Sequence, residues 1–296
     1  MSQLFKLGPS DFAFLWSECK RCFYLKIKHN HQRPRSIMPK IFISIDGLMK
    51  DYFEQKSPKD IDDSLNDGHV EFGDRWIQSK PYLDKKTGNR CFIKGKTDTV
   101  LSFNDNSYGI VDFKTSSVKD DNVAKYSRQL HAYTLALENA APGKPSLKPI
   151  SKLGLFIVEP KKLIKSEKDI YSFENEVSWQ EIQRDDEAFF DFLREVMAVL
   201  SSDKTPAANP FCSHCDYLKR SQVDFDNIKI GLHPKFLGRE SAPTNHLEEH
   251  LLEQYFTLSQ LSLHFFLHAK GLLQTGQVFL GKLAFFIFQK VFIFYK

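Results

Sequence analysis

The sequence has no strong net charge and no uninterrupted apolar segment long enough to cross a bilayer. Its 41 basic and 37 acidic side chains leave a formal net charge of +4, which by itself says nothing about nucleic acid. The stretch from Val278 to Lys296 is dense in phenylalanine, but Lys282 and Lys290 interrupt it. A membrane span needs about 20 mostly apolar residues. We therefore expect no membrane partner.

The start of the sequence lacks a secretory signal, and cysteine is scarce. Met1 to Gly8 has no basic stretch followed by an apolar run and a small-residue cleavage site. We therefore expect the protein to be cytoplasmic. In that reducing compartment its five cysteines would bind a metal more readily than form disulfides. With 42% hydrophobic residues, the chain can form a core without them.

The order of the periodic segments predicts a mixed α/β (α+β) domain over residues 1–222. Between the predicted strands, Asn104 to Ser107 reads as a hairpin turn. The predicted helices run from Ser10 to about Lys26, Ile41 to Glu54, Asn122 to Asn139 and Asp185 to Leu200, and the predicted strands are Arg90–Phe103, Tyr108–Lys114 and Leu153–Glu159.

Residues 223–296 differ in character and are predicted to be an extension of unknown function, either helical or poorly ordered. Asn245 and Glu248 form a plausible capping box for a helix that ends near Gly271. Two interpretations stay open for this extension. It is a helix that binds a protein partner or an interface, or it is a tail added to the domain.

A carboxylate and a lysine share one face of a predicted strand. Side chains two apart on a strand point the same way, so Asp112 and Lys114 face one side and Val111 and Phe113 the other. Taken alone, an Asp-x-Lys pair on a strand is more often a solvated face than a site.

The preceding strand brings a second carboxylate to the same place. If the hairpin folds about Asp105, Asp98 lies opposite Asp112, because both are equally far from that centre. Directly paired residues of antiparallel strands have Cβ atoms about 4.5–5.5 Å apart. Two carboxylates so close repel each other unless a proton or a cation lies between them. Mg²⁺, which prefers oxygen ligands, is the natural partner.

The combined pattern resembles the RecB-like PD-(D/E)XK nucleases, which include CRISPR-associated RecB-like exonucleases and the AddB type. Three pieces carry the resemblance: Gly95-x-x-Asp98, Val111 to Thr115, and Gln129-Leu130-His131-Ala132-Tyr133. They look like motif II, motif III and the Q-x-x-x-Y helix of that group. The resemblance implies a restriction-endonuclease-like core, with a mixed central sheet flanked by helices.

The resemblance also implies roles for these residues. Asp98 and Asp112 would bind Mg²⁺ or Mn²⁺, with the carbonyl of Phe113 as a third ligand. Lys114 would orient or deprotonate the attacking water. Gln129 and Tyr133, four residues apart on one helix face, would contact the substrate or support the site.

The sequence departs from the family on the early helix. Many RecB-like enzymes have a metal-binding histidine there, whereas this chain offers Asp46. We expect Asp46 to be a further metal ligand, and its alternative is an exposed helix aspartate. His69 and His131 are weaker candidates for the missing ligand.

Two C-x-x-C pairs flank the predicted core: Cys19 with Cys22, and Cys212 with Cys215. Together they supply four thiolates, enough for tetrahedral Zn²⁺ or a [4Fe–4S] cluster. The arrangement resembles the iron–sulfur clasp of the same nucleases, although those proteins usually place one cysteine before the core and three after it. We favour [4Fe–4S], with Zn²⁺ as the alternative. Thioredoxin-like redox use of a single pair fits less well. We expect Cys91 to be simply buried.

The function implied is a metal-dependent nuclease that hydrolyses DNA, exonuclease-like, on single strands or ends. Beyond the resemblance, the single-strand preference depends on a basic segment that also contains Phe23 and Tyr24. A solvated charged surface explains the basic residues equally well. Other hypotheses are a non-catalytic nucleic-acid-binding or scaffold protein with the same fold, and a metal-clasped interaction protein acting through residues 245–296. The basic residues are Lys6, Lys20, Arg21, Lys26, Lys28, Arg33, Arg35 and Lys40.

Overall fold

Nine strands form two mixed sheets in the part of the chain that the computed structural model describes, residues 2–34, 37–115 and 120–221. The predicted extension over residues 223–296 lies outside the described residues. The strands are β1 (Leu4–Leu7), β2 (Gly68–Gly73), β3 (Trp76–Gln78), β4 (Tyr82–Leu83), β5 (Arg90–Lys96), β6 (Thr99–Phe103), β7 (Tyr108–Lys114), β8 (Ile150–Glu167) and β9 (Ile170–Glu181).

Helices flank the sheets, which confirms the predicted fold class. A π-helical segment and a 3-10 turn, Asp11–Trp16 and Pro58–Asp60, accompany the α-helices, and residues 213–221 are also helical. None of the described helices is both long enough and apolar enough to cross a membrane. The α-helices are α1 (Lys20–His29), α2 (Lys40–Phe53), α3 (Asp120–Glu138) and α4 (Asp186–Ser201).

The larger sheet has the order β2-β6-β7-β8-β9, and its core is a strand–helix–strand unit. Strands β7 and β8 are parallel and are connected through α3, whereas the other neighbours in this sheet are antiparallel. In the smaller sheet, β5 pairs in parallel with β1 and antiparallel with β3 and β4. The mixed sheet expected from the sequence is therefore present, but in two parts.

Two apolar clusters cover opposite faces of the larger sheet. Ile110 of β7 packs in a large cluster with residues of α3 and α4, such as Leu130 and Leu193. Val111 and Phe113 belong to a second cluster with residues of α2, where Phe53 and Phe113 stack at 5.8 Å between ring centroids. This alternation confirms that Asp112 and Lys114 share the face opposite Val111 and Phe113.

The predicted strand Arg90–Phe103 is wrong as one element, because the chain changes sheets at residues 97–98. The amide of Thr97 donates to the carbonyl of Arg75 at 3.1 Å, and the carbonyl of Asp98 accepts from Asp74 at 2.9 Å. Asp74 has a left-handed backbone with φ of 51°. The segment around Asp74 and Arg75 therefore separates β5 from β6, and Asp98 lies at the junction.

Two further elements differ from the sequence prediction. The first helix is interrupted: its π-helical part is followed by an extended Cys19, and α1 begins at Lys20. The strand predicted at Leu153–Glu159 is the middle of the longer β8, and its antiparallel partner β9 was missed. Strand β7 and helices α2, α3 and α4 lie within a few residues of their predicted positions.

Candidate active site and metal centre

The hairpin register brings Asp98 to the same level as Asp112. Thr99 pairs with Val111 and Val100 with Ile110, so one step further Asp98 is opposite Asp112, as the turn centred on Asp105 predicts. The Asp98 carboxylate lies across the strand end, where its Oδ2 accepts the backbone N–H of Phe113 at 3.1 Å. The turn therefore fixes the spacing of the two carboxylates, and the sheet junction fixes the direction of Asp98.

Asp112 is a buried carboxylate, with only 2% of the residue exposed. Its Oδ1 accepts a hydrogen bond from Gln129 Nε2 at 3.1 Å, and its Oδ2 forms an ion pair with Lys114. Burial raises the pKa of Asp112 to about 7, and the negative charge of Asp98 acts in the same direction. The positive charge of Lys114 lowers the pKa but does not outweigh burial. The carboxyl group can therefore release or take up a proton near neutral pH.

Lys114 neutralises this carboxylate from the same strand face. Burial opposes the charge of the ammonium, but the negative charge of Asp112 outweighs burial and raises the pKa of Lys114. Its Nζ also lies 4.9 Å from the centre of the Tyr126 ring on α3. Lys114 is therefore a charged lysine held beside Asp112.

Helix α3 closes the site from above the sheet. Gln129 and Tyr133 lie one turn apart on the face toward β7, and Gln129 Nε2 also reaches Tyr133 Oη at 3.1 Å. Close packing here requires Gly95, because a Cβ at this position would lie 2.7 Å from the ring of Pro9 and 3.5 Å from Tyr133. The structure thus brings together Asp98, Asp112, Lys114, Gln129 and Tyr133.

A lysine that sequence reasoning missed lies at the edge of this site. Lys50 Nζ contacts Asp46 Oδ2 at 2.7 Å, Asp74 Oδ1 at 2.9 Å and Asp98 Oδ1 at 3.1 Å. Burial opposes its charge, but these three carboxylates outweigh it and raise the pKa of Lys50. Lys96 neutralises the other oxygen of Asp74 at 2.9 Å. The one signal in the sequence was the spacing of Asp46 and Lys50 on α2, which puts them on one helix face.

The predicted ligand Asp46 reaches Asp98 only through the Lys50 ammonium. The two weaker candidates lie elsewhere. His69 is exposed on β2 beside Glu71. Both ring nitrogens of His131 are engaged, since Nδ1 lies 2.7 Å from the carbonyl of Ser127 and Nε2 accepts the amide of Asp185 at 2.8 Å. His131 is therefore a buried structural residue.

The acidic pair has the chemistry that a hard divalent cation requires. Asp112 Oδ2 is buried, and no donor other than the Lys114 ammonium reaches it in the described part of the chain. Mg²⁺ is often bound through one or two carboxylates, with waters and substrate phosphates completing its shell. Asp98 and Asp112 would provide such carboxylates. The N–H of Phe113 and its ring are already engaged, and its carbonyl stays a predicted third ligand.

The four cysteines of the two C-x-x-C pairs converge on one point. Their sulfur atoms all lie within 4.8 Å of one another. Among the described residues, this is the cluster of three or more His, Cys, Asp or Glu side chains whose ligand atoms are close enough to share one metal ion. The fifth, Cys91, is buried in β5 away from this group, as expected, and burial raises its pKa to about 12. Three distances between Sγ atoms of the two pairs are 3.9 Å for Cys19–Cys215, 3.8 Å for Cys22–Cys212 and 3.5 Å for Cys22–Cys215.

Each cysteine pair lies at the beginning of a helix. Cys19 is the residue before α1, and Cys212 precedes the helical residues 213–221. Helix N-termini stabilise negative charge. Burial raises the pKa of Cys19, but hydrogen bonds from the backbone of Asn209 and Cys22 outweigh burial and lower that pKa to about 7. Arg33 Nη2 lies 3.0 Å from Cys212 Sγ. The surroundings therefore favour the thiolate, which is the metal-binding form, at Cys19, whereas burial raises the pKa values of Cys22 and Cys215.

The basic face expected near the start of the chain is partly neutralised within the protein, since four of its eight basic residues form ion pairs. Lys20 pairs with Glu195, Lys26 with Asp11, Lys28 with Asp203, and Arg33 with Glu18. The expected aromatic contribution is wrong, because Phe23 and Tyr24 are buried and cannot stack on bases. Arg35 lies outside the described residues. This segment therefore gives no support for a single-strand preference.

Comparison with protein-family models identifies the superfamily of the chain. A family model described as the PD-(D/E)XK nuclease superfamily matches residues 49–220, which contain Asp98, Asp112 and Lys114. No curated protein matches the chain. The crystal structure of SSO0001 is similar at a TM-score of 0.39 and 11% identity, over 65% of this chain and 75% of that one, a likeness too weak to add to the assignment. The family match covers more than half of the sequence, and the chain therefore belongs to the PD-(D/E)XK nuclease superfamily.

Proposed function

We propose that this protein is a RecB-like nuclease that hydrolyses DNA phosphodiester bonds with Mg²⁺ or Mn²⁺, exonuclease-like on single strands or ends. Membership of the superfamily gives a nuclease-type function. The observation that carries the finer proposal is the contact of one buried carboxylate, Asp112, with Lys114 and Gln129, opposite Asp98.

The chemistry divides among these side chains. Asp98 and Asp112 would hold the divalent cation, which lowers the pKa of a bound water and offsets charge on the scissile phosphate. Lys114 is held beside Asp112, from where its ammonium can orient the attacking water and stabilise the charge that develops on the phosphate. Gln129 fixes one oxygen of Asp112, and the cation would bind the other oxygen, which the Lys114 ammonium contacts in this structure.

The RecB-like assignment is supported by the position of the Q-x-x-x-Y pair. Gln129 bridges Asp112 and Tyr133, so α3 is tied directly to the metal-binding strand. Burial outweighs the hydrogen bond from Gln129 and raises the pKa of Tyr133, so its hydroxyl stays protonated and can donate a hydrogen bond. We propose that Tyr133 uses this hydroxyl to support the site beside the substrate.

The test is a nuclease assay of the full chain on end-labelled and circular substrates of single-stranded DNA, duplex DNA and RNA, each with Mg²⁺ or Mn²⁺. Lys114→Met and Asp112→Asn should reduce the rate by about 10²–10⁴-fold, because both remove groups that contact the reacting water or its metal. Asp191→Asn, which alters an exposed acid on α4, is the matched control and should retain the wild-type rate.

The outcomes separate the hypotheses. Cleavage of linear single strands that spares circles supports the exonuclease proposal. Nucleic-acid binding without cleavage, equal in wild type and Lys114→Met with either metal, would instead indicate the non-catalytic binding protein. Cleavage of RNA but not of DNA would overturn the DNA assignment and leave the nuclease assignment intact.

A further inference from the structure

We infer that the four cysteines hold one tetrahedral zinc ion and not the [4Fe–4S] cluster that the family resemblance implies. The argument depends on sulfur geometry and is independent of the proposed nuclease activity. Three of the separations between sulfurs of the two pairs are 3.5, 3.8 and 3.9 Å. All four sulfurs lie within 4.8 Å of one another.

These separations match a single ion. Zinc–thiolate bonds are about 2.3 Å long, and the edge of a tetrahedron is about 1.6 times the centre-to-corner distance, which gives sulfurs about 3.8 Å apart. These three separations lie on both sides of that figure, and the other three are at most 4.8 Å. One zinc ion can therefore be placed between the sulfurs with only small shifts of the cysteine side chains.

A cubane does not fit the same space. In a [4Fe–4S] cluster each thiolate binds a different iron at a corner of the cube, so four iron and four sulfide atoms lie between the cysteine sulfurs. This spreads the thiolates much wider than the edges of a single-ion tetrahedron. Sulfurs that all lie within 4.8 Å of one another leave no room for those eight atoms. To bind the cluster, the four sulfurs would have to move apart.

The local structure is that of a closed structural site. Cys19, Cys22 and Cys212 are 2%, 5% and 1% exposed. Each C-x-x-C pair begins a helix, and the amide of Cys215 points to Cys212 Sγ at 3.5 Å. Four thiolates around Zn²⁺ leave a net charge of −2, which this N–H and the Arg33 guanidinium at 3.0 Å partly offset. With four protein ligands, the ion has no open position for a substrate.

A single zinc ion also explains why the cysteines are arranged two and two, and not one and three as in the family that the sequence resembles. Two ligands before the core and two after it let each C-x-x-C pair bind one side of a single ion. The ion then joins α1 to the helix of residues 213–221 and does not respond to cellular reductants, because zinc has no accessible redox change.

The experiment is metal analysis of the full chain, purified without oxygen from cells supplied with both zinc and iron. We expect about one zinc per chain, no inorganic sulfide and a colourless protein. X-ray absorption at the zinc edge should show four sulfur ligands at about 2.3 Å. Cobalt added to the metal-free protein should give the intense visible bands of tetrahedral thiolate coordination.

Brown protein with about four iron and four sulfide per chain, before or after reconstitution with iron and sulfide, would overturn the inference. So would one iron without sulfide, or zinc bound through nitrogen or oxygen. Cys215→Ser tests the ligand set if it folds, because it should bind cobalt more weakly than wild type and with altered bands. If it does not fold, the absorption spectrum of wild-type protein still decides between one ion and a cubane.

Discussion

The carboxylate site and the cysteine centre balance their charges in different ways. In the carboxylate site each acid has a lysine beside it: Lys114 contacts Asp112, and Lys50 contacts Asp98. The four thiols contact mainly one another, with Arg33 as the cation nearest to them. The first site is neutralised by its own side chains, whereas four thiolates in the second would need the proposed metal to balance their charge.

This difference indicates separate roles for the two proposed metal sites, one in the reaction and one in the stability of the fold. A site that is neutralised without its metal can fold first and bind the ion later, as a reaction requires. A site that gathers four thiolates from the two ends of the domain gains its stability from the ion itself, because binding free energy then becomes folding free energy. Removal of the two metals should therefore have different consequences.

The largest effect should follow the loss of one thiolate. Cys22→Ser removes a ligand from the buried centre and, with it, most of the binding free energy. We expect the free energy of unfolding to fall by at least about 3 kcal/mol, because structural zinc contributes several times that amount. Denaturant unfolding with metal analysis measures both quantities. Cys91→Ala, which deletes a buried thiol outside the centre, should keep the full metal content, and equal loss of metal in both variants would contradict the prediction.

Removal of the arginine beside the thiolates should have the next largest effect. Arg33→Met takes away the positive charge 3.0 Å from Cys212 and the ion pair with Glu18. Neighbours of metal ligands typically change metal affinity by about 10–100-fold. A competition titration with a coloured zinc chelator measures this change. Lys20→Met, which removes the exposed ion pair with Glu195, is the control, and an unchanged affinity in Arg33→Met would show that the guanidinium is not needed.

The carboxylate site should respond in the opposite direction when it loses a lysine. Lys50 occupies one oxygen of Asp98, where it competes with a divalent cation. Lys50→Met should therefore bind Mn²⁺ more tightly, by about tenfold. The ion pair between Lys50 and Asp98, which the metal has to replace, contributes a few kcal/mol near a protein surface, and new contacts of Lys50 with other groups and solvent offset most of that loss. Electron paramagnetic resonance of free Mn²⁺ measures the dissociation constant.

Lys96→Met is the matched control for this change, because in the described part of the chain Lys96 pairs with Asp74 and not with Asp98. Asp98→Asn should abolish Mn²⁺ binding, which would show that the titrated ion binds at the carboxylate site. Weaker Mn²⁺ binding by folded Lys50→Met would mean that Lys50 positions Asp98 for the metal and does not compete with it.

The smallest effect is a pH dependence of metal binding. Burial raises the pKa of Asp112 to about 7 in the metal-free chain, so below that pH the ion has to displace a proton. Mn²⁺ affinity should rise by at most about tenfold per pH unit up to pH 7 and then level off. Calorimetry in two buffers of different ionisation enthalpy should show about one proton released at pH 6. Asp112→Asn should remove this release, and a release that persists would assign it to another group.

Local periodicity explains why part of the site could be predicted. Alternation along β7 determines that Asp112 and Lys114 share a face, and the centre of the turn determines that Asp98 is opposite Asp112. Both depend on neighbours in the sequence. The spacing of Gln129 and Tyr133 gave their common helix face for the same reason.

The missed features depend on distant partners. The break between β5 and β6 results from backbone hydrogen bonds to Asp74 and Arg75, about twenty residues earlier, which no periodicity reveals. Lys50 joins the site because α2 packs on the larger sheet near Asp98. The burial of Phe23 and Tyr24 likewise depends on tertiary packing, so a basic, aromatic stretch was interpreted as a surface.

The distance along the chain between the two cysteine pairs has a consequence for biosynthesis. Cys19 and Cys215 are 196 residues apart. At about 5–20 residues per second, a ribosome needs roughly 10–40 s to pass from the first to the second. Throughout that interval the early thiols have no late partners, so the proposed zinc ion would be captured only after nearly the whole domain has been translated. Metal loading would then be a final step of maturation, and a zinc-starved chain would be left open to proteases.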